Sequence, residues 1–273
     1  MRNILIMTSF TLREALARKV FLFFLGISVL VIIGMAIIFT IVDTTALIEG
    51  INPTGNKIIL SEIITVLELA IAGQLANLCL LLAIFSSSSF VPVMLEKGNI
   101  DLLLSKPISR NQMLLGKYFG GLLVVLLNIA FLIIGVWFVI SFKFSYWDFS
   151  FLSVIPVVTF TFAVLYSIIV LFGVITQGSV FGMIVTYFIF LILSPILLLG
   201  KERLHILIES EFIKSIVEGL YYAFPKTFEL MGKIMIDLTS GKGITDYQPV
   251  LTSLLFLILI LMYSLFLFSK KDF

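Results

Sequence analysis

The sequence predicts an all-α, polytopic membrane protein, and three observations carry that reading. Of its 273 residues, 60% are hydrophobic and 12% are charged, where soluble domains run near 45–50% and about 25%. Mean hydropathy is +1.20. The apolar residues also gather into uncharged runs, each close to the roughly 20 residues a helix needs to cross the hydrocarbon core. About six such helices would use half the chain. That leaves little for a soluble catalytic domain, so residues 1–273 are read as one transmembrane domain.

The first span is Val20 to Val42. It follows Arg18-Lys19, is longer than the apolar core of a signal peptide, and ends without a small-residue cleavage site, so it is read as retained. The second, residues 63–93, is interrupted by Glu68, Gln74, Asn77 and the run Ser86 to Ser89. Such groups are tolerated in a span that faces protein or a water-filled path, and Pro92 is expected to bend it. The third is 118–142, opening on Gly120-Gly121. From Phe149 to Gly200 no residue is charged, which is length enough for two spans, 149–175 and 180–200. Thr176-Gln177-Gly178-Ser179 supplies the turn between them, and Pro195 falls near the end of the fifth. The sixth, 250–268, is closed by Lys270-Lys271.

Basic residues flanking the spans set orientation. Arg2, Arg13, Arg18 and Lys19, then Lys97, Lys106, Arg110 and Lys117, then Lys270 and Lys271 fall on one side by alternation. That side is expected to be cytoplasmic, with both termini on it. The connection 201–249 carries six basic and seven acidic residues on the other side, which a loop of that length tolerates.

Two further helices are expected beside the spans. Residues 3–17 place Leu5, Leu12 and Leu16 near one face, with Arg13 and Arg18 able to reach headgroups, as suits an interfacial helix. In the outer loop, Leu204, Ile208, Phe212, Ile216 and Leu220 recur every four residues among acidic ones, which predicts an amphipathic helix ended by Phe224-Pro225. A short helix over 228–238 follows. Trp137, Tyr146 and Trp147 gather at one predicted boundary, as aromatic belts do.

Several chemistries are excluded. One cysteine, Cys79, makes no intramolecular disulfide and reads as a buried thiol. One histidine, His205, cannot build a zinc site, and there is no H-E-x-x-H. Gly241-Lys242-Gly243-Ile244-Thr245 lacks the spacing of a phosphate-binding loop, so any ATP and Mg are held by another chain. The near balance of 18 basic and 16 acidic residues argues against nucleic-acid binding. Met231 and Met235 stand at helical spacing and suit apolar packing, with a soft-metal site as the alternative.

The connection from Glu96 to Lys117 carries the functional signal. An apolar cluster, Ile100 to Leu104, lies between charges; Pro107 ends its helix, and Ser109 can cap a second helix running into span three. Two short helices joined at a proline suit a docking element on the cytoplasmic surface, with an ordinary interfacial loop as the alternative.

This string resembles the signature of ABC type-2 exporter permeases through Glu96, Gly98, Asp101, Leu102, Leu103, Leu104, Pro107, Ser109, Arg110, Gly116 and Lys117, with Asn99 where threonine is usual. Thr11 to Lys19 is similar to the family's N-terminal elbow helix, and Lys270-Lys271-Asp272-Phe273 to its tail. The resemblance covers the whole chain in layout. It implies a six-span permease subunit in the inner membrane, not itself an enzyme, that dimerises with a second copy and pairs with separate ABC ATPase subunits. It further implies a coupling helix over 96–106, within a coupling segment of 95–117. Glu96, Lys97, Gly98, Asp101, Leu103, Pro107 and Arg110 would form the docking set. Glu68, Gln74 and Asn77 remain open between a pathway, helix–helix bonding and, for Glu68, a side chain reaching headgroup water. Two rivals stand beside transport: mechanical transmission to an outer partner by the same fold, and an intramembrane enzyme, for which no nucleophile–base pair is visible.

Overall fold

In the computed structural model, the described residues are 2–17, 19–41, 57–100, 108–207 and 211–271, and their regular elements are all helical. Six helices are long and apolar enough to cross a membrane: Leu22–Ile41, Glu62–Met94, Arg110–Phe144, Phe149–Thr176, Ser179–Lys201 and Gln248–Lys270. They match the six runs read from sequence and are numbered here as spans one to six. The expected end of span one at Val42 lies outside the described residues, as does Arg18.

Span two is helical from Lys57 to Ser87 and again from Phe90 to Met94. The break falls at Ser88-Ser89, not at Pro92. Pro92 stands in the first turn of the short helix, where its missing N–H costs no bond. The serines loosen the ladder instead: Ser87 Oγ donates to the Ile84 carbonyl at 3.4 Å and Ser88 Oγ to that of Phe85 at 2.9 Å.

Span three starts eight residues earlier than the apolar run suggested, at Arg110, and continues for 35 residues to Phe144. Ser109 caps it through a reciprocal capping box with Gln112. At 1.5 Å per residue the helix is about 50 Å long, so it stands well clear of a core about 30 Å thick. Its first turns form the signature end of the bundle. At the other end Ser145 is left-handed, with φ 52°, and Trp137 Nε1 donates to the Asp148 carbonyl at 2.7 Å. Trp137, Trp147 and Phe149 pack there at 5.2–5.3 Å, in the aromatic cluster expected at a boundary.

Span four is the most buried and touches spans two, three, five and six. Its Tyr166 is enclosed and stacks between Tyr118 at 5.3 Å and Phe162 at 5.2 Å. That ring needs Gly121, where a Cβ would stand 2.5 Å from the phenol oxygen. The expected turn closes span four: Gln177 is left-handed with φ 54°, and Gly178 opens span five. Span five contains a π-turn at Ile189–Leu193 just before Pro195. Pro195 can give no N–H to the Leu191 carbonyl and its ring crowds that turn, and a wider turn accommodates both.

Beyond span five, helices run over Ser194–Leu207 and Glu211–Ala223, the latter ending at Phe224-Pro225 as expected. Phe212, Ile216 and Leu220 are exposed on it, while Ile208 of the predicted stripe lies outside the described residues. The chain returns as helix over Thr227–Glu229, Leu230–Ile234 and Met235–Thr239, the middle piece again a π-turn. Met231 and Met235 are buried in the core, and no group of metal-binding residues exists among those described. Cys79 is buried as well.

The N-terminal helix, Arg2–Ala17, lies along span three. Its inward face is not the leucine face. Met7, Thr11 and Ala15 are buried, whereas Leu5 and Leu16 are exposed. Gly116 and Gly120 explain this choice: a Cβ at either would stand 2.3 Å from Met7 Cβ or 2.4 Å from Thr11 Cβ. Leu5 and Leu16 are left facing outward, where apolar surface suits lipid, while Leu12 is partly buried against the core.

Candidate functional site

The signature begins where span two runs out. Leu95 caps the short helix, and Glu96, Lys97 and Gly98 form an exposed turn instead of the start of a helix. Gly98 makes the turn possible, since its φ of 91° lies in the region that side chains avoid. Asn99 closes it: its side-chain amide donates to the Val93 carbonyl at 3.0 Å, and its backbone N–H and that of Ile100 donate to Glu96 at 3.1 and 3.2 Å. Helix begins at Asn99, with Ile100 buried. That start is three residues later than the expected one at Glu96. Asp101, Leu103, Pro107 and Lys106 lie outside the described residues.

Arg110 was expected in the docking set, but its guanidinium turns to the C-terminal tail. It donates to the Ser269 carbonyl at 3.3 Å and to that of Lys271. Lys271 Nζ in turn donates to the Val174 carbonyl at 2.6 Å, capping the negative end of span four. Burial in this position holds the Lys271 pKa below its ordinary value. Lys117, only 2% exposed, pairs with Glu14 of the N-terminal helix. Asn3 donates to Gln112 at 3.2 Å and Thr8 to the Gly116 carbonyl at 3.4 Å. The second half of the signature thus ties three helix ends and the N-terminal helix together. Sequence reasoning missed these ties because each joins residues about 100 or more positions apart.

Of the polar residues in span two, Glu68 is fully buried, and neither carboxylate oxygen has a hydrogen-bond partner. It therefore does not reach headgroup water, and the charge acting on it is Asp148. Tyr146 lies beside this pair outside the spans. Burial, then Asp148 and Glu68, raise its phenol pKa, and a hydrogen bond with Thr65 works the other way. Gln74 and Asn77 are exposed and form no hydrogen bond with another described residue. With Glu62, Val66 and Ala70 they form one outward stripe down span two.

Among curated proteins, none matches the chain. A family model described as ABC-2 family transporter protein matches residues 13–273. A bundle of six spans whose signature end is cross-braced as described is thus placed by nearly its whole length: the chain belongs to the ABC-2 transporter family, as a multi-pass membrane permease.

Proposed function

We propose that the chain is the permease subunit of an ABC exporter, moving substrate out of the cytoplasm on ATP hydrolysis by separate ABC ATPase subunits, which bind the ATP and Mg. It works in the inner membrane as a homodimer, with both termini cytoplasmic. The ATPase docks on the segment that opens at Glu96. The observation that carries this reading is the exposed Glu96-Lys97-Gly98 turn at the tip of span two, set beside a braced cluster of helix ends. A push on that turn has a direct line into span two, since only the Ser88-Ser89 break intervenes. The outward stripe through Gln74 and Asn77 suits a pathway or the seam with the second copy.

Crosslinking from Asp101 should capture an ATPase subunit, and replacing 96–106 by a Gly/Ser linker should abolish the capture. Equal recovery with the linker would sink the docking site. Glu96→Gln should leave expression and ATPase binding near wild type and lower substrate-stimulated hydrolysis. In a Cys79→Ser background, a cysteine at Lys242 should react with an impermeant maleimide from outside, and one at Asn99 should not.

Mechanical transmission is the second reading, and the bracing by Arg110, Lys117 and Lys271 favours it, because stiff ties serve force transfer as well as transport. Efflux of a substrate from vesicles holding the purified complex separates the two.

A further inference from the structure

At the end of span five remote from the signature, two lysines converge on one pair of tyrosine rings. Lys226 Nζ lies 4.0 Å from the Tyr221 ring centre and 4.6 Å from that of Tyr222. Lys201 Nζ lies 4.2 and 5.6 Å from the same two. Lys226 is 3% exposed, and its ammonium has no hydrogen-bond partner. The hydroxyl of the next residue, Thr227, is also buried without one. The backbone here is tied all the same: Lys226 N–H donates to Ser253 Oγ at 3.1 Å and Phe228 N–H to Ser194 Oγ at 3.0 Å, so spans five and six hold the main chain from which the ammonium projects.

The charges do not balance. Lys201 and Lys226 repel one another across the rings they share. Glu229, which accepts from the Tyr221 hydroxyl, offsets one of them. Asp246 is engaged by Lys233 at 3.2 Å. Among the described residues the cluster keeps one positive charge in excess. Desolvation, and then Lys201, push the Lys226 pKa down, while Glu229 and Asp246 act against them. The cavity against Lys226, lined by Ser194, Leu197, Tyr221 and Glu229, holds about 10 Å³, room for one oxygen-sized atom. A water there would satisfy the ammonium's donors but not its charge. Lys201 and Tyr222 stand at the open side, both partly exposed.

We propose that Lys226 and Lys201 form a binding site for a singly charged phosphodiester group, whether that of an anionic lipid or that of a soluble diester. Such a group carries one negative charge and two unesterified oxygens. One oxygen enters the cavity to meet Lys226, the other meets Lys201 at the rim, and the ester arms stay outside. The end of a span is where lipid phosphates lie, and ammonium–phosphate bonds are charge-assisted. The site does not depend on the ATPase or on the direction of transport.

The test uses the full chain, purified and delipidated in neutral detergent, with its unfolding midpoint followed against added probe. Phosphatidylglycerol should raise the midpoint, and diacylglycerol, which lacks the phosphate, should not. Lys226→Met should raise the lipid-free midpoint, because an uncompensated buried charge is removed, and should weaken the phosphatidylglycerol response about tenfold or more. Lys201→Gln, at a partly exposed position that does not threaten folding, should weaken it about threefold to tenfold. Lys143→Gln, at an exposed lysine outside the cluster, should leave it unchanged. A matching response to glycerophosphoglycerol, the water-soluble diester headgroup of that lipid, supports the site with a soluble diester as its ligand, and a response to the lipid alone supports it with a membrane lipid. Equal responses from wild type and Lys201→Gln, or from phosphatidylglycerol and diacylglycerol, overturn it.

Discussion

The two ends of the bundle treat their polar groups in opposite ways. At the signature end Arg110, Lys117, Glu14, Gln112 and Lys271 all bond to other parts of the chain, across spans three, four and six and the N-terminal helix. At the other end Glu68, Lys226 and Thr227 are buried with side-chain polar atoms that have no hydrogen-bond partner among the described residues. Unsatisfied buried groups each cost stability, so a fold keeps few of them without a use. The contrast suits a division of labour in which one end is stiff enough to receive a displacement and the other is left to be completed by a ligand, water or a partner. Motion is expected to be concentrated where completion is pending.

The contrast is most exposed to attack at Glu14. Glu14→Gln leaves Lys117 buried beside a weaker partner, and removing one half of a buried pair costs about 3–5 kcal/mol. Unfolding in detergent should show that loss, and the double variant Glu14→Gln/Lys117→Met should recover much of it. A double variant no better than the single would mean that the pair is not what fastens the N-terminal helix. Next in size is Gly116→Ala, which drives a methyl into Met7 and should cost about 1–3 kcal/mol. The same change at Gly219, open on every side in a solvent-facing helix, should instead gain up to about 1 kcal/mol. If both glycines respond alike, the close approach at the signature end is not real.

At the other end the signs should reverse. Glu68→Met removes an unpartnered buried carboxyl and should stabilise the resting protein by about 1 kcal/mol, while lowering substrate-stimulated hydrolysis if the group serves the transport cycle. A destabilised Glu68→Met would reveal a partner that holds the acid in place. The smallest effect is a pH slope. The Lys226 pKa is lowered from 10.5 in the folded state, so between the folded and unfolded values the unfolded chain binds more protons, and stability rises with pH. Above pH 10 the raised Tyr221 phenol works the other way, because the unfolded chain loses that proton first. Below pH 10, wild type should therefore gain stability on alkalinisation relative to Lys226→Met. Parallel profiles would mean that the ammonium is already neutralised.

The spans were legible because an apolar run of fixed length has few uses other than crossing a bilayer, and caps such as Ser109 act within four residues. Less legible was anything set by a distant neighbour. The leucine face of the N-terminal helix suited an interfacial helix, but nothing local marked Met7 and Thr11 as the residues that would meet Gly116 and Gly120. Pro92 looked like the bend in span two, but its place in a first turn made it harmless and left the serines to break the helix. In the candidate site, the Glu96-to-Gly98 segment was found by its pattern, whereas the ties of Arg110 and Lys117 to partners 159 and 103 positions away left no local mark. The Lys201–Lys226 pair left no signal at all, since nothing in a loop of mixed charge marks which two cations will meet.

The π-turns at Ile189–Leu193 and Leu230–Ile234 bracket that pair along the chain. Each adds a residue without adding a full step of rise, and one residue corresponds to about 100° of rotation in an α-helix. The azimuth of Lys201 is thus phased by a single surplus residue upstream. Deleting one residue from Ile189–Leu193 would re-form a plain helix and swing Lys201 about a quarter-turn away from Tyr221, changing the site without altering any residue in it.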